Sequence, residues 1–201
     1  MKSVLSDTRI CFVGDSFVNG IGDPECLGWA GRICAAARRK GHDITYYNLG
    51  VRRATSVDIR GRWLEEVACR LPKGYDGRIV FSFGVNDTTL EKGKTRVELS
   101  NSIENSREIL SAAKQLFPVL MVGPPPIANS GQNLRIAHLS KREADVCRDL
   151  DVPYLDIFTT LQESAIWMSE AAANDGSHPG SAGYAELARR VQSWSARFVL
   201  V

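Results

Sequence analysis

Four short blocks of this sequence carry residues that could activate a hydroxyl for attack on an acyl group. Gly14-Asp15-Ser16 follows an apolar run, where a sharp strand-to-helix turn can hold the Ser16 Oγ above a sheet edge and Gly14 relieves the crowding. Asn48-Leu49-Gly50 follows a second run, and a glycine there lets a backbone N–H approach a ligand oxygen. Gly84-Val85-Asn86-Asp87 follows a third and sets a carboxamide donor at the same edge. Late in the chain, Asp175 precedes His178 in Asp175-Gly176-Ser177-His178-Pro179, a spacing that in a turn brings a carboxylate onto the imidazole Nδ1. A nucleophile, a base, an orienting acid and oxyanion donors are the parts of serine-based acyl chemistry.

Each block alone has a bland reading. Gly-Asp-Ser arises by chance in roughly one chain in twenty of this length and Asp-x-x-His in about one in four, so neither carries the assignment by itself. Asn86 could merely cap a turn, and Asp15 reads as a structural carboxylate bonding its own turn. The weight comes from all four blocks falling after strands or in loops on one edge, in one order. Elsewhere, His42 suits a helix end, and His138 sits between Arg135 and Lys141. Three separated histidines without ligand spacing argue against zinc, and Gly14 to Gly22 lacks the lysine of a phosphate loop. Arg38-Arg39-Lys40 closes a helix, and the four tryptophans, at 29, 63, 167 and 194, read as packing. Arg52-Arg53 follows Gly50; a solvated pair is the commoner use, and the functional alternative puts Arg53 at a pocket rim, favouring an acidic group on the ligand.

The elements that must position these residues alternate along the whole chain. Strand-length apolar runs stand at Ile10 to Val13, Ile44 to Asn48, Ile79 to Phe83, Val119 to Val122 and Tyr154 to Ile157. Helical periods lie between and after them, near Trp29 to Lys40, Val57 to Leu71, Arg96 to Leu116, Leu139 to Leu150, Leu161 to Ala173 and Ser181 to Val199. In the third of these, Leu99, Ile103, Leu110, Ala113 and Phe117 fall on one stripe, widened by Ile109 and Leu116. Gly123 to about His138 reads as the longest loop, opening with three prolines. The pattern is that of an α/β protein, a three-layer αβα sandwich on a five-stranded parallel sheet. Ligand crevices in such sheets lie beyond the carboxyl ends of the strands, where the four blocks fall.

On these blocks the sequence resembles the GDSL, or SGNH, hydrolase family from Ile10 to about Trp194. The resemblance implies a flavodoxin-like sandwich and lipase-like or esterase activity without a cofactor, while length and composition lead to the expectation of one domain over residues 1–201 and the lack of a ligand cluster to that of metal independence. It implies Ser16 as nucleophile, His178 as base, Asp175 as its partner, and Ser16, Gly50 and Asn86 as oxyanion donors. Two positions depart from the family pattern. Phe17 stands where the family's name has leucine, which should only reshape packing beside the nucleophile. Arg53 stands where many relatives have glycine, altering the shape and charge of the pocket rim.

Composition sets the remaining bounds. The 201 residues are 44% hydrophobic and 24% charged, with a net charge of +2, so no strong field draws nucleic acid or anionic lipid. No apolar run approaches the roughly 18 residues of a membrane span, and Met1 to Arg9 lacks the apolar core of a signal segment. Five scattered cysteines read as reduced thiols, several of them core residues, and the expected location is cytoplasmic. A small-molecule ester is the expected substrate. Acyl transfer to an alcohol would use the same acyl-enzyme, and a non-catalytic flavodoxin-like module could hold a ligand in the same turns. The full set of nucleophile, base, acid and donors weighs against that module.

Overall fold

The computed structural model describes residues 7–194. In chain order the elements are β1 (Thr8–Gly14), α1 (Ser16–Asn19), α2 (Gly28–Arg39), β2 (Ile44–Gly50), α3 (Ser56–Ala68), β3 (Asp76–Ser82), β4 (Leu90–Glu91) and β5 (Lys94–Thr95). They continue with α4 (Leu99–Lys114), β6 (Val119–Val122), α5 (Ser130–Asp149), β7 (Tyr154–Leu155), α6 (Phe158–Gln162), α7 (Ala165–Ala173) and α8 (Ser181–Trp194). Five strands pair in parallel in the order β2-β1-β3-β6-β7, and β4 and β5 form a separate antiparallel hairpin.

The central strand shows why both faces must be covered. Alternate side chains of β1 point oppositely. Ile10 and Phe12 enter one core with Trp29 and Ile33 of α2 and Tyr184 and Leu187 of α8. Cys11 and Val13 enter the other with Ile59 and Trp63 of α3, Ile109 and Leu110 of α4, and Val146 of α5. Every β1 side chain from Ile10 to Val13 is completely buried, which matches a continuous apolar run in a parallel sheet. The chain winds one way from β1 to β2 and the other way from β3 onward, so the sheet has its switch point at the carboxyl ends of β1 and β3. Gly14, Gly50 and Ser82 stand side by side there in register.

Several element bounds differ from the sequence reading, each for a physical reason. Helix α5 begins at Ser130, well before Leu139, because the Asn129 side chain caps it by accepting from Gln132 N–H at 2.8 Å. Its first turns bury the polar Gln132 and Asn133, which no apolar period reveals, and the loop after β6 is correspondingly short. The expected helix from Leu161 to Ala173 is two helices, because Ser164 Oγ caps α7 at Trp167 N–H and breaks the run. The buried face of α4 is Ser102, Asn105, Ser106, Ile109, Leu110 and Ala113, so half of it is polar, while Leu116 is exposed. The β4–β5 hairpin was not foreseen. The final residues of the expected last helix, 195–199, lie outside the described residues.

Candidate active site

Ser16 stands at the first position of α1, two residues past the aligned strand end at Gly14. No side chain fits at Gly14, where a Cβ would lie 2.0 Å from the Ser82 carbonyl oxygen. Asp15 then caps α1 through Oδ1, which accepts from the Phe17 N–H at 2.9 Å. This buried carboxyl is pushed up to about 7, by desolvation above all and by the nearby Asp87 charge, against the pull of the Phe17 bond and Arg62. As the first residue of a helix, Ser16 keeps an N–H with no intrahelical acceptor.

His178 reaches Ser16 from the other end of the chain. Its Nε2 lies 2.7 Å from Ser16 Oγ, and its Nδ1 lies 2.7 Å from Asp175 Oδ2. Both groups of the pair are nearly out of solvent, with Ser16 3% and His178 7% exposed. Asp175 Oδ1 accepts from the backbone N–H groups of Ser177 and His178 at 3.0 and 2.9 Å, which closes the turn that the three-residue spacing predicts. Burial pushes the Asp175 carboxyl up, but these bonds and the imidazole outweigh it and hold it below the usual carboxylate range. The imidazole is clamped from behind. Glu170 of α7 accepts from Gly180 and Gly183 N–H at 2.9 and 2.7 Å, anchoring the start of α8 just after the histidine. Phe17 tilts against the imidazole with ring centroids 4.7 Å apart, and Trp167 stacks behind Phe17. The departure at Phe17 therefore packs the imidazole.

The groups expected as oxyanion donors do not all fall at the cavity. Asn86 stands at the cavity, its Nδ2 donating to Ala54 O at 3.1 Å with Asp15 Oδ2 at 3.4 Å. Gly50 does not line the cavity. Its N–H is already taken by Asn48 Oδ1 at 3.0 Å, and its missing side chain makes room for α1, since a Cβ would lie 2.2 Å from Asn19 N. Arg52 and Arg53 of that loop line the cavity, and Arg53 stands in the left-handed conformation at φ 67. That backbone favours glycine. Here it is held by Arg96, whose Nη1 donates to the Arg53 carbonyl at 2.9 Å, and the Arg53 N–H meets no acceptor among the described residues.

The Arg53 guanidinium, in turn, is not free at the rim. It donates to Glu91 Oε1 of the hairpin at 3.0 Å. The cavity, about 250 Å³, is walled mainly by polar groups, with Phe17 and Val85 its apolar contributions. Arg96, Gln132 and Thr89 line it without having been singled out from sequence. Gln132 Nε2 donates to Val85 O at 3.0 Å and to Thr89 Oγ1 at 3.1 Å, fixing the turn that carries Asn86. The one sequence signal for it was the Asn129-to-Gln132 cap spacing. A larger depression of about 570 Å³ beside Ile166 and Arg190 contains two serines, but their hydroxyls bond Glu186 and the Arg190 carbonyl rather than an imidazole.

The other singled-out residues lie elsewhere. His42 precedes β2 at the amino end of the sheet, and exposed His138 lines a separate depression beside Val97 and Arg135. All five cysteines are free, with Cys11, Cys34 and Cys147 buried. Among the described residues no group of three or more His, Cys, Asp or Glu could hold a metal ion, and no helix is long and apolar enough to cross a membrane.

Chemically, the arrangement can take a proton from Ser16 Oγ, stabilise the resulting imidazolium against a carboxylate, and offer N–H groups to a developing oxyanion. Comparison with known proteins points the same way. The model of the GDSL-like Lipase/Acylhydrolase family matches residues 12–186. Among solved structures, the lipase/acylhydrolase from Enterococcus faecalis is 21% identical, with 94% of this chain and 95% of that chain covered at a TM-score of 0.72. An acetylxylan esterase from Geobacillus stearothermophilus is 18% identical, covering 96% and 95% at 0.75. A member of the lipolytic G-D-S-L family from Veillonella parvula is 17% identical, covering 92% and 97% at 0.76. At these identities the likeness is one of fold. No curated protein sequence matches the chain.

Proposed function

The chain belongs to the GDSL-like lipase/acylhydrolase family, and from that premise we propose that it hydrolyses small carboxylic esters through an acyl-enzyme on Ser16. The observation that carries this reading is the unbroken relay from Asp175 through His178 to Ser16, with both contacts at 2.7 Å. A serine hydroxyl at its ordinary pKa is a weak nucleophile, so neutral His178 takes its proton as Oγ attacks the carbonyl. Charge moves onto the carbonyl oxygen, and the imidazolium forms beside a carboxylate that stays ionised. The oxyanion is met by the Ser16 N–H, the Asn86 amide and the Arg53 N–H, which takes the part first expected of Gly50. His178 then gives its proton to the leaving alcohol, and the acyl group remains on Oγ. A water deprotonated by the same imidazole attacks the acyl-enzyme, the acid leaves, and the proton returns to Ser16.

A fluorophosphonate probe tests the activated serine without a known substrate. Peptide mapping should find the label on Ser16. Ser16→Ala should lose labelling and lower kcat toward p-nitrophenyl acetate by about 10⁴-fold or more while its circular dichroism is unchanged. Label on another residue, or turnover surviving in the mutant, would remove Ser16 from the role.

A further inference from the structure

The cavity beside Ser16 carries three arginines, and they are not equivalent. Arg53 is committed to Glu91, and Arg96, with its side chain only 18% exposed, is committed to the Arg53 carbonyl and to Glu91 at 3.4 Å. Among the described residues Arg52 has no such hydrogen-bonded partner. Its side chain is 62% exposed, and its nearest carboxylate oxygen is Asp175 Oδ2 at 3.9 Å, beyond hydrogen-bond reach. That oxygen is already bonded to His178 Nδ1, and the other oxygen of Asp175 accepts two backbone N–H groups. Asp175 therefore attracts Arg52 without satisfying it. The nearby wall groups Asn86, Thr89 and Ser177 are uncharged.

We infer that Arg52 is a specificity-determining residue and that the enzyme's substrates are esters bearing a carboxylate or phosphate close to the scissile carbonyl. The inference rests on reading this cavity as the site of ester hydrolysis. A guanidinium is a planar fork of N–H donors matched to those two anions, and one that holds only a long ion pair at a catalytic cavity gives up no hydrogen bond by turning to a ligand. The expectation that Arg53 supplies this cation thus passes to its neighbour, because Glu91 holds the Arg53 head group. An anion on the alcohol and an anion on the acyl chain present the same chemistry to Arg52, and matched ester pairs separate them.

The test measures kcat/KM for acetylglycerol phosphate against monoacetin, and for p-nitrophenyl hemiglutarate against p-nitrophenyl valerate. In the wild-type enzyme the anionic member of at least one pair should be preferred by ~10-fold, the scale of one charge-assisted hydrogen bond. The preference should fall as potassium chloride is added. Arg52→Gln should lose most of the preference through KM, Arg52→Lys should keep part of it, and Arg189→Gln, an equal change of charge outside the cavity, should keep all of it. An equal preference in wild type and Arg52→Gln overturns the inference. So does an equal loss on both members of a pair with a shifted acid limb of the pH profile, which would mark Arg52 as a support for Asp175 alone. Wild-type turnover of monoacetin and p-nitrophenyl valerate without charge preference overturns Arg52's role and leaves the hydrolase standing. Failure to hydrolyse any of the four esters overturns both.

Discussion

Asn86 illustrates how a side chain's remaining capacity, rather than its type, sets its chemical use. Its Nδ2 carries two hydrogens, of which one goes to the Ala54 carbonyl at 3.1 Å and the other, more loosely, to Asp15 Oδ2 at 3.4 Å. An oxyanion would therefore take over the loosely held N–H from Asp15, while the Ala54 bond fixes the plane of the amide. Asn86→Ala should lower kcat toward p-nitrophenyl acetate by about 10²- to 10³-fold with little change in KM, because the bond is made to charge that develops only in the transition state. A loss confined to KM would instead make Asn86 a ground-state contact. The same distinction explains what could be read from the sequence at this scale. Ser16, His178 and Asp175 were legible because a hydroxyl, an imidazole and a carboxylate announce their chemistry by type and spacing. Gly50 and Arg53 were not, because any residue offers a backbone N–H, and which one remains unbonded depends on a left-handed φ and on Asn48 and Arg96. Gln132 was hidden for a similar reason, since it acts by holding a turn more than forty residues away in sequence.

Among the elements, α4 and α5 carry a feature that periodicity alone mistakes. Strands and most helices were legible because continuous apolar runs and a 3.6-residue stripe are consequences of burial itself. The facing sides of α4 and α5, however, bury Ser102, Asn105 and Ser106 with Glu143, so their stripe is partly polar. Ser106 Oγ donates to Glu143 Oε1 at 3.3 Å, while Glu143 Oε2 and Asp87 Oδ2 have no bonded partner among the described residues. Desolvation first, and the Asp87 charge second, push the Glu143 carboxyl well above its ordinary range. A carboxyl whose pKa is raised on folding binds its proton more tightly in the native state. Its stabilising effect is therefore present at low pH and is lost as pH rises from the unfolded value of about 4.3 through the raised native one. Asp15, pushed up to about 7, adds to the same trend. Thermal denaturation from about pH 6 to about pH 9 should show the wild-type Tm falling, and Glu143→Gln, equal in shape but without the acidic proton, should flatten that fall. Parallel curves for the two proteins would show that Glu143 does not titrate across this range.

At the scale of the whole molecule, the question is how much apolar surface the fold leaves for an acyl chain. The cavity is about 250 Å³, and Phe17 and Val85 are the apolar side chains in its wall. The loop after β6, which the sequence reading extended to His138, ends at Asn129 because α5 has already begun, so it supplies no lid. Trp167 builds no groove beside the cavity, because it is completely buried, with its indole N–H donating to the Pro126 carbonyl at 2.9 Å. Leu90 and Leu134 are exposed but line no part of the cavity. A methylene fully removed from water contributes about 0.8 kcal/mol, or roughly a fourfold gain in kcat/KM, and an acyl chain that outgrows these walls cannot collect it. Across p-nitrophenyl esters from acetate to palmitate, each held below its aggregation limit, kcat/KM should peak at butyrate or shorter. Beyond the peak, added methylenes should bring no further gain. An optimum at dodecanoate or longer would require an apolar channel that this fold does not provide, and would turn the reading from small esters toward a lipid substrate.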